Sequence, residues 1–245
     1  MKRYVKWMSQ EHPMPVFVLD TALDFPPVEL AGPPGLLAVG GDLNVDRLLA
    51  AYSRGIFPWY SQGEPIMWWS PDPRLILKPD ELKISKSLKR TLKKDVFTTT
   101  LNRAFPAVIQ RCRSKPRPGQ DGTWITPEMQ AAYIRLHEAG YAESVEVWRG
   151  TDLVGGLYGV AIGRVFFGES MFSDVSDASK VGLVALVEEL KRRGVPLIDC
   201  QVSSDHLKRL GAKEITRAEF TTRLRELAPI LPPQPRLPGS EGHTK

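Results

Sequence analysis

From Arg74 onward the sequence alternates between strand-like and helix-like stretches, and this alternation confines the chain to an α/β or α+β architecture. The first seventy or so residues differ: they are rich in Pro, Gly and Trp, and FPPVELAGPPGLLAVGGDL reads as turns around short apolar pieces. Within them NVDRLLAAYSRG predicts one helix, with Asn44 as N-cap, Leu48, Leu49 and Tyr52 as the apolar face and Gly55 as the stop. The next stretch, IFPWYSQGEPIMWWSPDPRLIL, sets Trp59, Trp68 and Trp69 among prolines. Proline lacks the amide proton that a helix interior needs, so extended turns are expected there. The organisation read from these patterns is a small N-terminal α/β domain over 1–73, a larger mixed α/β (α+β) domain over 74–228, and a tail over 229–245. That tail is proline-rich and polar, and is expected to be disordered because it cannot bury enough surface to order itself.

In the larger part, TPEMQAAYIRLHEAG is a punctuated helix, with Thr126 as N-cap, Pro127 in the first turn and Gly140 beyond the end. SVEVWR and VGGLYGVAI, joined by the Gly150-Thr151-Asp152 turn, predict a hairpin, and VFFGESMF supplies a third strand. Ser179 then opens the helix SKVGLVALVEELKRRG, stopped by Gly194, and VPLIDCQV is the next strand.

Two cysteines, Cys112 and Cys200, make neither a disulfide framework nor a metal-ligand pattern, which suits a reducing, cytoplasmic setting. The N-terminus lacks the apolar run of a signal peptide, and no stretch approaches eighteen apolar residues, so no membrane association is expected. A net charge of +5 suits a polyanionic partner. Residues 83–94, KISKSLKRTLKK, concentrate that charge: at about 100° per residue, Lys83, Lys86, Lys89, Arg90, Lys93 and Lys94 fall within an arc of roughly 140°. Ile84, Leu88 and Leu92 lie opposite. No acidic residue neutralises this face, so it would draw phosphates through counterion release; simple solvation is the alternative. Arg111, Arg113, Lys115 and Arg117 form a second cluster. KISKS also resembles the KMSKS loop of ATP-using synthetases. Without a HIGH-type partner or any nucleotide fingerprint, however, nothing here activates a substrate with ATP.

Two strand ends carry candidate chemistry. In GESMF, alternation puts Glu169 and Met171 on one face, with an edge-strand glutamate reaching water as the plainer explanation. In IDCQ, alternation puts Asp199 and Gln201 on one face and Ile198 and Cys200 on the other, at the carboxyl end of a strand where open sheets bind ligands. Capping of a helix begun at Ser204 or Asp205 is the alternative. Cys200 has no histidine placed to activate it and reads as core. Trp59, Trp124 and Tyr133 read either as core or as stacking partners for a base.

Taken in order and spacing, PGLLAVGGDL, GIFPWY, WWSPDPR, TWIT, FFGESMFS and IDCQ resemble the leucyl/phenylalanyl-tRNA-protein transferase family, over nearly the whole chain to about Phe220. The resemblance implies a small N-terminal domain on a larger one resembling the GNAT acetyltransferase fold. It implies transfer of Leu or Phe, with Met as a minor donor, from Leu-tRNA, Phe-tRNA or Met-tRNA to acceptor proteins beginning with Arg or Lys, creating an N-end rule degradation signal. It further implies a monomer without cofactor or metal. By motif, Trp59 and Trp124 would hold the terminal adenosine with Tyr133 nearby, and Phe166, Glu169, Met171 and Ile198 would line the side-chain pocket. Asp199 and Gln201 would act on the attacking amine, and Lys83, Lys86, Lys89, Arg90, Lys93 and Lys94 would grip the acceptor stem. The family carries Asn where this chain has Ser204, which leaves Ser204 without an implied role.

Aminolysis of an already activated ester chiefly needs alignment of two substrates and handling of one proton. An α-amine has a reference pKa of about 7.7 to 8.0, so no strong base is required. The expected arrangement has the Gln201 carbonyl oxygen accepting from the amine, Asp199 orienting it and stabilising developing positive charge, and Glu169 helping to hold the donor. Two other readings stand beside this one. An acyl-CoA-dependent acetyltransferase lacks its Q/R-x-x-G-x-G/A loop here, and a non-catalytic RNA-binding module leaves GESMF and IDCQ unexplained.

Overall fold

The computed structural model describes residues 4–5, 16–115 and 123–229, so Arg117 and all but the first residue of the expected tail lie outside the described residues. In chain order the elements are β1 (Tyr4–Val5), β2 (Val16–Leu19), β3 (Leu36–Gly40), α1 (Val45–Tyr52), β4 (Phe57–Pro58), β5 (Met67–Trp69), β6 (Arg74–Leu77), α2 (Lys86–Lys93), β7 (Thr98–Leu101) and α3 (Phe105–Ser114). They continue as α4 (Pro127–Glu138), β8 (Ala142–Arg149), β9 (Asp152–Ile162), β10 (Val165–Ser173), α5 (Ala178–Arg192), β11 (Leu197–Gln201), α6 (Asp205–Arg209), β12 (Lys213–Ile215) and α7 (Arg217–Leu227). This is the mixed α/β architecture that the alternation predicts.

Local signals account for several boundaries. The Thr126 hydroxyl accepts from the Met129 amide at the start of α4, and Gly140 leaves the helix at φ 88°, where a side chain would be strained. Helix α2 is shorter than the 83–94 pattern suggests. Ser85 stops it from beginning earlier, because its hydroxyl accepts from the Leu88 amide as an N-cap, so Lys83 and Ile84 precede the helix.

The N-terminal strands form a sheet in the order β1-β2-β3-β5-β4, and the rest form a seven-stranded sheet in the order β12-β6-β11-β10-β9-β8-β7. Among the described residues of the larger sheet only β10 and β11 run parallel; they pair from Val165↔Leu197 to Phe167↔Asp199 and then separate. Beyond that point β10 stays with β9 through a register shift between Gly168 and Ser170, while β11 shifts register against β6 between Asp199 and Gln201. Two neighbouring strands thus part company and bulge at the same level, which opens a cleft at their carboxyl ends.

Helices α3 and α4, the N-terminal sheet and α7 cover one face, sharing a continuous apolar core that includes Phe57, Trp68, Ile109, Tyr133, Phe167 and Phe220. Helix α5 covers the other face through Leu183, Leu186, Val187 and Leu190 against Leu75, Leu157, Phe166 and Ile198. Helix α2 docks on α5 through Leu88, with Val181 and Ala178 in the same small cluster.

The run VGGLYGV lets β9 be approached closely. A Cβ on Gly159 would lie 2.2 Å from the Phe167 carbonyl oxygen and 2.6 Å from the Phe166 ring. Gly159→Ala is therefore expected to destabilise the protein by about 1–3 kcal/mol through overpacking, seen as a lower urea midpoint at unchanged m-value.

Candidate active site

The cleft between β10 and β11 encloses a cavity of about 410 Å³. Its floor is apolar: Leu77, Leu157, Phe166, Met171, Leu183, Leu186 and Ile198 line it. Glu169, Gln201, Ser204 and His206 supply a polar edge, and Trp59 and Trp124 join the lining from elements outside the large sheet. Trp59 is 38% exposed, and its carbonyl oxygen accepts from the Trp69 indole N–H at 2.7 Å. Seven residues singled out in the sequence (Trp59, Trp124, Phe166, Glu169, Met171, Ile198 and Gln201) are thus brought together around one space.

Asp199 and Tyr133 stand differently. Strand alternation puts Asp199 and Gln201 on one face, but the shift in β11 and a left-handed Gln201 backbone (φ 65°) break that alternation. Gln201 turns into the cavity while Asp199, fully buried, does not line it. Both Asp199 oxygens are held by Arg74, at 2.8 Å from Nε and 2.6 Å from an Nη, and Oδ1 also accepts the Gln201 amide at 2.9 Å. Arg74 is itself fully buried; it donates to the Gly55 carbonyl at 3.0 Å and lies over the rings of Phe57 and Phe220. Tyr133 is fully buried too, so it presents no face for stacking a base and meets the site through its hydroxyl.

That hydroxyl belongs to a network centred on Glu169. Tyr52 donates to Oε1 at 2.7 Å, Tyr133 to Oε2 at 3.0 Å and the Gln201 side-chain nitrogen to Oε1 at 2.7 Å, and the two tyrosine oxygens lie within hydrogen-bond distance of each other. With its amide nitrogen engaged, Gln201 keeps its carbonyl oxygen for another partner. Burial pushes the Glu169 carboxyl up to about 7, against the opposing pull of the tyrosine and Gln201 hydrogen bonds. Burial and the adjacent Glu169 charge raise both tyrosines well above their ordinary range. Cys200 lines the cavity, but burial and the neighbouring Asp199 push its thiol up, so it stays protonated and a poor nucleophile. Ser204 caps α6 through its hydroxyl.

The six cations at 83–94 are exposed, and among the described residues none of them is in an ion pair. The second basic cluster is partly neutralised instead: Arg111 and Lys115 both pair with Asp174, and Arg113 donates to Gln130. Among the described residues no group of three or more His, Cys, Asp and Glu could hold a metal ion, and no helix is long and apolar enough to cross a membrane.

A family model described as leucyl/phenylalanyl-tRNA protein transferase matches residues 76–225, and the model of that family's N-terminal domain matches residues 41–72. The chain belongs to the leucyl/phenylalanyl-tRNA protein transferase family. A relative of that name from Syntrophobacter fumaroxidans is 60% identical over 88% of this chain and 92% of its own length. Another, from Anaeromyxobacter sp. strain Fw109-5, is 57% identical over 86% of this chain and 90% of its own. Like the family, this protein is a transferase enzyme. Among solved structures, a GCN5-related N-acetyltransferase from Kribbella flavida is 13% identical, with a TM-score of 0.33 over 67% of this chain and 58% of its own, a likeness too distant to carry an argument.

Sequence reasoning passed over Tyr52 and Arg74. Tyr52 reads as helix core because its ring is core, and nothing in the helix pattern signals a hydroxyl aimed at a strand more than a hundred residues later. Arg74 had a signal: a cation opening the apolar strand RLIL needs a buried partner. Removing that cation alone leaves the Asp199 charge uncompensated, so Arg74→Met is expected to cost about 3–5 kcal/mol in equilibrium denaturation. Adding Asp199→Leu should recover much of the loss, because the unpaired charge is then gone too.

Proposed function

We propose that this family member moves Leu or Phe, with Met as a minor donor, from charged tRNA onto the N-terminal Arg or Lys of acceptor proteins, creating an N-end rule degradation signal. The observation that carries this reading is the cavity itself, which has a greasy floor for an apolar side chain and a polar edge of Glu169 and Gln201 where an ester and an amine would meet. Trp59 and Trp124 serve the terminal adenosine, and Phe166, Met171 and Ile198 the side chain. An apolar pocket discriminates by only about 1–3 kcal/mol per methylene, so related donors are accepted.

In this reading Gln201 is the catalytic residue, its free carbonyl oxygen accepting from the attacking nitrogen. Asp199 supports it by accepting from the Gln201 backbone N–H and so fixing where that side chain emerges. Tyr133 acts through Glu169. Lys83, Lys86, Lys89, Arg90, Lys93 and Lys94 hold the acceptor-stem phosphates. A small N-terminal domain up to residue 73, a GNAT-like domain from residue 74, a monomeric state and a cytoplasmic location belong to the same proposal.

The test is incubation of purified protein with Leu-tRNA or Phe-tRNA and an Arg-starting peptide, reading product mass. A peptide heavier by one leucine or phenylalanine residue is expected, and no mass change refutes the reading. In single-turnover assays Gln201→Ala should slow transfer on the order of 10²-fold. Neutralising Lys89 and Arg90 together should shallow the slope of log affinity against log salt by roughly two, and an unchanged slope removes them from the tRNA contact.

A further inference from the structure

An amide side chain can align the attacking amine but cannot keep its proton, because it has no titratable site near neutrality. The structure offers another holder beside it. Tyr52, Tyr133 and Glu169 close a ring of three oxygen-to-oxygen contacts: hydroxyl to hydroxyl, Tyr52 to Oε1 and Tyr133 to Oε2. Each contact needs one bridging proton. When Glu169 is ionised, the two phenols supply two protons for three contacts, and one pair of oxygens faces without a bridge. One further proton on Glu169 satisfies all three, so the ring is built to hold one proton more than its ionised form carries. Gln201 ties this ring to the strand end, its amide nitrogen 2.7 Å from Oε1, and Glu169 lines the cavity.

We infer that Glu169, with Tyr52 and Tyr133 as positioning residues, is the proton holder of the transfer reaction: it receives the proton of the attacking amine and returns it to the ribose oxygen. This rests on the transferase reading above. As the C–N bond forms, the N–H proton passes to a Glu169 oxygen. As the ester C–O bond breaks, its electron pair goes to the ribose oxygen, which takes the proton back. No proton is gained or lost over the cycle, and no co-reactant is consumed.

The surroundings agree with this role. Tyr52 approaches from α1, Tyr133 from α4 with Tyr158 of β9 beside its ring, and Asp199 from β11, where Arg74 of β6 balances it. His206 of α6 and Cys200 share the cavity. Burial holds the Glu169 carboxyl at about 7, which suits a group that must both take and give a proton near neutrality.

The experiment compares the unmodified protein with Glu169→Gln, which keeps the shape but cannot take a proton. Single-turnover transfer is measured against pH with an acceptor bearing an aminooxy nitrogen, neutral across the range, so that the acceptor's own titration drops out. The unmodified protein should gain rate as pH rises through about 7. Glu169→Gln should lose that dependence and at least about 10²-fold in rate at saturating donor. Tyr52→Phe and Tyr133→Phe, each of which breaks the ring, should displace the midpoint of that dependence, and a midpoint unmoved in both removes the tyrosines from the role.

A second readout needs no activity. The group's folded value lies above its ordinary 4.5, so its contribution to stability is present below that pH and is lost as pH rises to about 7. The difference in denaturation midpoint between the unmodified protein and Glu169→Gln should follow that window. A Glu169→Gln protein that transfers at the unmodified rate, or that loses only donor affinity, overturns the proton role while leaving the transferase reading intact. An unmodified protein that forms no product overturns both.

Discussion

One buried ion pair fastens the parts of this molecule that must meet. Arg74 opens β6 and reaches Asp199 near the end of β11, the Gly55 carbonyl just after α1, and the rings of Phe57 and Phe220 from β4 and α7. Placing a guanidinium and a carboxylate out of water is costly, and bidentate geometry is what offsets that cost. Registration follows from it: the N-terminal strands, the middle of the large sheet and the last helix are fixed relative to one another at the level of the cavity. Asp199 also grips the Gln201 backbone, so the pair sets where that side chain emerges.

The cavity itself needs no special insertion. It is what remains when the parallel strands β10 and β11 stop pairing at Phe167↔Asp199 and each shifts register. Leu183 and Leu186 of α5 contribute to its apolar lining, and Glu169, Gln201, Ser204 and His206 to its polar one. A low-dielectric floor below a hydrogen-bonded edge strengthens every electrostatic interaction made there.

Much of this was legible in the residues. Capping at Thr126, the turn at Gly150-Thr151 and the alternation in SVEVWR express short-range physics, and the corresponding elements stand where that physics puts them. GESMF and IDCQ were recognisable as polar intrusions in apolar strands. Strict alternation erred at Gln201 because a bulge shifts side-chain facing by one residue, and no short-range pattern marks a bulge made by a glutamine. The pairing of Arg74 with Asp199 and the reach of Tyr52 to Glu169 join residues over a hundred positions apart, and such contacts come from topology alone. The basic periodicity places Lys83 on a helix face, and the Ser85 cap withholds it from the helix.

Gln201 holds a left-handed backbone at φ 65°, a conformation in which any residue with a Cβ is less at ease than glycine. Its amide is nonetheless the group that faces the cavity. Variants selected for heat resistance alone would be drawn toward glycine or asparagine at this position, relaxing the chain while discarding or shortening the amide. Directed evolution of a hardier enzyme would need to screen for turnover in every round, since the most tempting local improvement lies where the chemistry is aimed.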